Sequence, residues 1–264
     1  MRPEERSGIT AHSTGIPSGE LDEVIAAHEK ALASGEGVLK DGRRTAVTRV
    51  RRGADWLCVK EYRSSGLLDR MKDWLRGPRA ERAWRAAERL GRCGVPTPEP
   101  IAAIERRGVG YLVTRFVEDG VPLNRLLAER FGGALSPGEV ASKRSLVRRL
   151  AAWLRRVHDC RIYHDDWSCK NILAAERAEG WQFWLLDLDS VSPRRRLTWR
   201  RRVKNLGQLA DTPAGISRTD RMRFLVVYAA GDASLARGRF PSAVLEATRR
   251  RVEARERRLA EDRH

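Results

Sequence analysis

Long apolar runs are missing from this 264-residue chain, and none approaches the roughly 20 residues a helix needs to cross a bilayer. No membrane-spanning helix is therefore expected. The first residues, MRPEERSGITAHSTG, have no apolar core of the kind a secretory signal requires, so none is expected there either. Cysteine is sparse. Cys58, Cys93, Cys160 and Cys169 show no C-x-x-C spacing and no histidine at zinc-finger distance. That argues against a zinc module and for free thiols in a reducing compartment. No internal repeat is present, which sets solenoid architectures aside.

What is there is charge. The formal net charge is +17, with 33% charged and 41% hydrophobic residues, the balance of a folded globular chain rather than a disordered one. So positive a protein favours an anionic partner: a membrane surface, a phosphorylated substrate or nucleic acid. Without an RNA-binding signature or zinc-finger spacing, nucleic acid has only charge in its support, and no specific nucleic-acid partner is expected.

The stretch YHDDWSCKN, residues 163–171, holds His164, then Asp166 two residues on, then Asn171 five further. Sixteen residues later the apolar run WLLDLDS carries Asp187 and Asp189. H-x-D-x-x-x-x-N followed by a strand ending in Asp is the spacing of a kinase catalytic loop and metal loop. Phosphoryl transfer asks for a carboxylate to orient the acceptor hydroxyl and take its proton, the role assigned to Asp166. It also asks for a few hard oxygen ligands for Mg²⁺, here Asn171 and Asp187. His164 is expected behind the loop, bracing it by hydrogen bonds.

Around this centre the chain divides into a flexible tail (1–20), an N-terminal lobe (21–120) and a C-terminal lobe (121–264). LDEVIAAHEKAL has helical periodicity. Asp41-Gly42 marks a hairpin turn, and a break at Gly53 precedes a third strand, WLCVKEY, carrying Lys60. Residues 79–91 read as a helix with two acids, Glu81 and Glu88, able to pair with Lys60; Glu81 is chosen. Two strands joined at Arg107-Gly108 follow, the second ending near Phe116, Val117 and Glu118. In a two-lobed kinase this is the hinge that meets adenine. The chain then turns helical, with Leu146, Leu150, Trp153, Leu154 and Val157 on one helical face, and NILAAERAEGWQFWLLDL forms a hairpin turned at Glu179-Gly180. The last third is basic and helical, with a Ser217/Asp220 capping pair.

Several of these segments together resemble the lipopolysaccharide kinase family, the Kdo and heptose kinases of bacterial lipopolysaccharide core. They are VLKDGRRTAVTRV, VKEY, RAERAWRAAERLGRCGVPTPEPIA, IYHDDWSCKNIL, WLLDLDSV and SRTDRMRFLVVY, spread over most of residues 37–230. The resemblance implies an α+β, bilobed protein-kinase-like fold. It would pair a small antiparallel-sheet lobe holding one main helix with a mostly helical second lobe. It implies an ATP- and Mg²⁺-dependent transfer to a sugar hydroxyl of a membrane-anchored glycolipid at the cytoplasmic face. Carried over by motif, Asp166 is the base, Asn171 and Asp187 the metal ligands, Lys60 the phosphate lysine and Glu81 its partner. Gly42 and the backbone of Phe116–Glu118 are assigned to the nucleotide. A monomer is expected, peripheral on an anionic membrane.

The sequence departs from the general kinase pattern in three places. The G-x-G-x-x-G loop is missing, although Gly35, Gly37 and Gly42 lie nearby. No Ala-Pro-Glu signature follows Asp187, which argues against an ordinary protein kinase and leaves small-molecule acceptors as an alternative. Asp165 stands where related sequences often have glycine; it either raises the pKa of Asp166 by repulsion or points to solvent. A non-catalytic, basic membrane- or nucleic-acid-binding pseudokinase is the other alternative. The retention of Lys60, Asp166, Asn171 and Asp187 argues against it.

Overall fold

The computed structural model describes residues 12–14, 16–63, 77–106, 108–210, 215–236 and 239–261. They fall into two compact units, Met1–Arg89 with Pro98–Glu118, and Leu90–Thr97 with Asp119–His264.

The first unit is an antiparallel sheet in the order β1-β5-β6-β4-β3-β2. Its strands are β1 (His12–Ser13), β2 (Val38–Asp41), β3 (Thr45–Arg52), β4 (Asp55–Tyr62), β5 (Pro100–Arg106) and β6 (Val109–Arg115). Helix α1 (Ser18–Ser34) buries Leu21, Val24, Ile25, His28 and Ala31, the one-face spacing of a 3.6-residue repeat. It packs with Val50, Leu57, Val59, Ile104 and Val113 in one core. Because side chains alternate along a strand, Leu57, Val59 and Glu61 share the α1 face of β4, and Lys60 stands on the opposite face. Helix α1 ends where Gly35 takes a left-handed conformation (φ 78°) and donates to Ala31 O at 2.9 Å. The one buried polar side chain of its core face is satisfied: His28 Nδ1 lies 2.8 Å from Thr48 Oγ1 and Nε2 lies 3.0 Å from Glu61 Oε2. Helix α2 (Arg79–Arg92) follows.

Two expectations are corrected here. Within the tail assigned to residues 1–20, His12 and Ser13 pair with Ala103 and Ala102, Thr14 N–H donates to Ile101 O at 3.0 Å, and α1 begins at Ser18. These polar residues gain order by closing the open edge of β5 through backbone pairing, which a hydrophobicity pattern does not register. Residues 1–11, and the Arg107 half of the turn at Arg107-Gly108, lie outside the described residues. The N-terminal block expected over 21–120 is interrupted, since Leu90–Thr97 clusters with the second unit, where Leu185 N–H donates to Pro96 O at 3.2 Å.

The second unit contains β7 (Val121–Pro122), α3 (Leu123–Phe131), α4 (Pro137–Asp159), β8 (Ile162–His164), β9 (Ile172–Arg177), β10 (Gly180–Leu185) and β11 (Val191–Pro193). It continues with α5 (Trp199–Ala210), α6 (Arg218–Ala229), α7 (Ala233–Ala236) and α8 (Arg239–Glu261). Helix α4 begins earlier than its apolar stripe, at a Ser136/Glu139 capping box in which Glu139 N–H donates to Ser136 Oγ at 3.3 Å. The expected stripe of Leu146, Leu150, Trp153, Leu154 and Val157 is buried. Trp153 stacks on Trp167 with centroids 5.9 Å apart. Ser217 and Asp220 cap α6 reciprocally, as expected. The hairpin β9–β10 and the short pair β8–β11 then bring the motif residues together.

Candidate active site

Strand β8 ends at His164, opposite Val191 of β11, and Asp165 N–H donates to Ser190 O at 3.0 Å. Past a short 3₁₀ turn (Cys169–Asn171) the chain enters β9. Leu185 of β10 pairs with Ile172, and Leu186 N–H donates to Asn171 O at 2.8 Å. This register carries Asp187 to the residue Asn171. Asp187 adopts a left-handed backbone (φ 57°, ψ 47°), a conformation short polar side chains tolerate better than most. The reversal is closed by Ser190, whose N–H donates to Asp187 O at 3.0 Å and whose Oγ donates to Asp187 Oδ2 at 2.9 Å.

His164 is fully buried and joins the two loops. Its Nδ1 accepts from Asp166 N–H at 3.1 Å, so Nε2 carries the proton and donates to Leu186 O at 3.2 Å. Burial lowers its pKa, outweighing Asp187, the Leu186 carbonyl, Asp166 and Asp189, which pull it upward. A neutral ring is the form this bridge needs. Asn171 Nδ2 donates to Asp166 O at 2.8 Å and to Asp166 Oδ2 at 3.3 Å, which turns its amide oxygen away from Asp166. Asp166 itself is exposed, as is Asp165. The solvent-facing alternative for Asp165 is thus the one its exposure supports.

Beneath the loop lies a set of polar residues that the sequence did not single out. Asn205 of α5, fully buried, donates through Nδ2 to His164 O at 2.8 Å and to Gln208 Oε1 at 3.0 Å. Gln208 Nε2 donates to Asp165 O at 2.7 Å, and Trp167 N–H donates to Gln208 Oε1 at 3.4 Å. Two side-chain amides on one helix therefore satisfy three main-chain groups of the catalytic loop. Behind them His158 Nε2 donates to Asn205 Oδ1 at 3.3 Å, Tyr228 OH donates to His158 Nδ1 at 2.6 Å, and Arg202 Nη1 donates to Tyr228 OH at 3.0 Å. Burial pushes His158 down to about 3, helped by the Arg202 and Arg155 charges and opposed by Asn205. Burial also pushes Tyr228 up to about 12, against the Arg202 charge. Every member of the chain is held in the protonation state its hydrogen bonds require. The only sequence signal was a pair of amides three residues apart in the segment KNLGQL, within a helix that otherwise reads as basic surface.

In the first unit, Lys60 faces Leu112 and Val47 across the sheet, with Nζ 4.8 Å from the Tyr62 ring centroid. Glu81 lies in the first turn of α2, and its described ion pairs are to Arg85, one turn on, and to His12 Nε2 at 3.6 Å. The expected Lys60–Glu81 contact is not among the described ones. At two residues assigned to the nucleotide, the main-chain N–H is engaged within the first unit. Gly42 N–H donates to Thr45 O at 3.1 Å across the β2–β3 turn. Phe116 N–H donates to Trp56 O at 2.8 Å, which leaves its carbonyl as the main-chain group for an adenine edge. Val117 and Glu118 directly precede the unit boundary.

The class of protein follows from fold and loop together: the chain has a protein-kinase-like fold. A solved structure described as WaaP in complex with acyl carrier protein matches 82% of this chain and 87% of its own length, with a TM-score of 0.62 at 22% identity. The chain belongs to the lipopolysaccharide kinase (Kdo/WaaP) family, whose model matches residues 29–228, and is a kinase. It is 27% identical over 190 residues to the 3-deoxy-D-manno-octulosonic acid kinase of Haemophilus influenzae strain PittEE, covering 66% of this chain and 74% of that one. It is 31% identical over 157 residues to the lipopolysaccharide core heptose(I) kinase WaaP of Escherichia coli, covering 56% of this chain and 59% of that one.

Proposed function

We propose that this kinase transfers a phosphoryl group from ATP to a sugar hydroxyl of a lipopolysaccharide-core-like glycolipid, the sugar being Kdo or a heptose. The observation that carries the reading is the loop geometry: an exposed Asp166 whose main chain is held by His164 and Asn171 and whose carboxylate also accepts from Asn171, on a loop that the β9–β10 register joins to the segment carrying Asp187. Asp166 orients the acceptor hydroxyl and takes its proton. Lys60, with Glu81 as its partner in the working state, holds the phosphates, and the backbone of Val117 and Glu118 meets the adenine.

Asn171 and Asp187 offer hard oxygens, the donor type that suits Mg²⁺. Among the described residues no group of three or more His, Cys, Asp or Glu side chains is placed to hold a metal ion. A sparse protein ligand set of this kind suits an ion that also binds phosphate oxygens. When bound, the ion neutralises charge on the phosphates.

Among the described residues no helix is long and apolar enough to cross a membrane. The lipid-anchored acceptor is reached, on this reading, by a monomer resting on the anionic cytoplasmic face through exposed cations such as Arg195, Arg196 and Arg200. Other arginines of the basic third are already occupied: Arg202 by Tyr228 and Asp159, Arg249 by Glu253 and Arg250 by Glu246. The deciding experiment is radiolabel transfer from γ-labelled ATP to a total lipid extract and to its deacylated oligosaccharide fraction. Label in a sugar-bearing product supports the reading; label only in protein or in a small amine would discard it.

A further inference from the structure

Three cations converge on a single aromatic ring one residue before His164. The guanidinium carbons of Arg194 and Arg201 each lie 5.6 Å from the centroid of Tyr163, and Lys204 Nζ lies 5.5 Å from it. They come from two elements. Arg194 directly follows β11 and is tied back by its N–H, which donates to Arg161 O at 3.0 Å. Arg201 and Lys204 are one turn apart on α5 and so project from one face of it. Tyr163 is only 5% exposed, so the ring serves as a floor.

None of the three cations has an acidic partner among the described residues. Nearby arginines differ: Arg155, Arg202 and Arg223 are each paired with an aspartate. The Nε of Arg194 is buried without a hydrogen-bond partner. Three like charges gathered around one ring repel one another, and a π face returns only about 0.5–1 kcal/mol per cation at exposed sites. A buried, unused guanidinium N–H adds to the cost. An oxyanion seated among them relieves both, since guanidinium groups bind phosphate and carboxylate through charge-assisted hydrogen bonds.

We infer that Arg194, Arg201 and Lys204, gathered on Tyr163, form a binding subsite for an oxyanion, a phosphate or a carboxylate, carried by the acceptor. The inference rests on the acceptor reading above and deepens it. The strand that ends at the catalytic loop is the same strand that presents the ring. A charged group docked here fixes an acceptor relative to Asp166, so the subsite selects acceptors that carry a negative charge beside the hydroxyl to be phosphorylated.

The test compares two double variants with the same loss of charge: Arg201→Gln with Lys204→Gln, on the ring, and Arg144→Gln with Arg148→Gln, exposed on α4 and off it. The first measurement needs no acceptor. With a non-hydrolysable ATP analogue at saturation, inorganic phosphate is titrated calorimetrically into each protein. Wild type and the off-ring variant are expected to bind it alike, and the on-ring variant about tenfold more weakly. No phosphate binding by wild type, or equal weakening in both variants, overturns the subsite and leaves a diffuse positive field. The second measurement uses the oligosaccharide fraction before and after phosphatase treatment. The on-ring variant is expected to raise KM for acceptor about tenfold with kcat little changed. Inorganic phosphate is expected to compete with acceptor in wild type and not in this variant. If phosphatase removes the discrimination, the acceptor's anion is a phosphate; if it does not, a carboxylate. An acceptor KM that is the same in wild type and the on-ring variant overturns the proposal. Absence of any transfer by wild type would instead sink the acceptor reading, and the calorimetric result stands apart from it.

Discussion

Asn205 Nδ2 donates to the carbonyl of His164 at 2.8 Å, and through this bond helix α5 holds the backbone from which Asp166 projects. The carbonyl is shielded from water by the buried amide itself, so replacing Asn205 with Leu leaves an acceptor without a donor. The expected cost is about 1–3 kcal/mol of stability. Gln208→Leu strips Asp165 O of its partner in the same way. Because Asn205 also bonds Gln208, the two effects should be less than additive in urea melts and in kcat, with KM for ATP nearly unchanged. Wild-type kcat in a folded Asn205→Leu protein would remove the positioning role.

Asp166→Asn keeps the size and the Asn171 contact but loses the proton acceptor. Transfer should fall by at least about a hundredfold while ATP binding survives. Near-wild-type turnover in the folded variant would sink the assignment of the base.

Asp187→Ala should abolish Mg²⁺-dependent nucleotide binding, and Asp189→Ala should be milder. Nucleotide titrations with and without Mg²⁺ separate the two. Greater sensitivity at Asp189 would mean the metal-facing carboxylate lies two residues further along.

For Lys60→Met and Glu81→Gln, the expected outcome is a joint loss in kcat/KM smaller than the sum of the single losses, the mark of one ion-paired unit. The described contacts of Glu81 with Arg85 and His12 supply the competing outcome. Full additivity, or a larger loss in Glu88→Gln, would assign Lys60 a different partner.

His158 makes stability depend on pH in a defined direction. Its folded pKa, about 3, lies below the ordinary 6.5, so the unfolded chain binds the proton more readily. The stabilisation is complete above about pH 6.5 and is lost as pH falls toward 3, by up to about 1.4 kcal/mol per pH unit. His164 is shifted the same way by burial. Denaturant midpoints at several pH values between neutral and mildly acid should fall more steeply for wild type than for His158→Gln. Parallel curves would show that His158 titrates normally.

The H-x-D-x-x-x-x-N loop was legible in the chain because its constraints are local. Asp166, Asn171 and His164 bond one another across two to five residues, so the residue types and spacings that make the geometry are adjacent in sequence. The helix stripe of α4 and the turn at Gly180 were legible for the same reason: periodicity and turn chemistry act within a few residues. Tertiary structure decided the rest. Asn205 reaches His164 of the loop from 41 residues away, Tyr228 reaches His158 behind it from 70 residues away, and in sequence nothing separates them from an ordinary basic helix. Which three cations of an arginine-rich third meet Tyr163, and which are spent on Asp159, Glu246 or Glu253, depends on how α5 and α8 are rotated about their axes. That rotation is set by buried contacts with partners distant in the chain, and a one-residue change in it would present a different set of arginines.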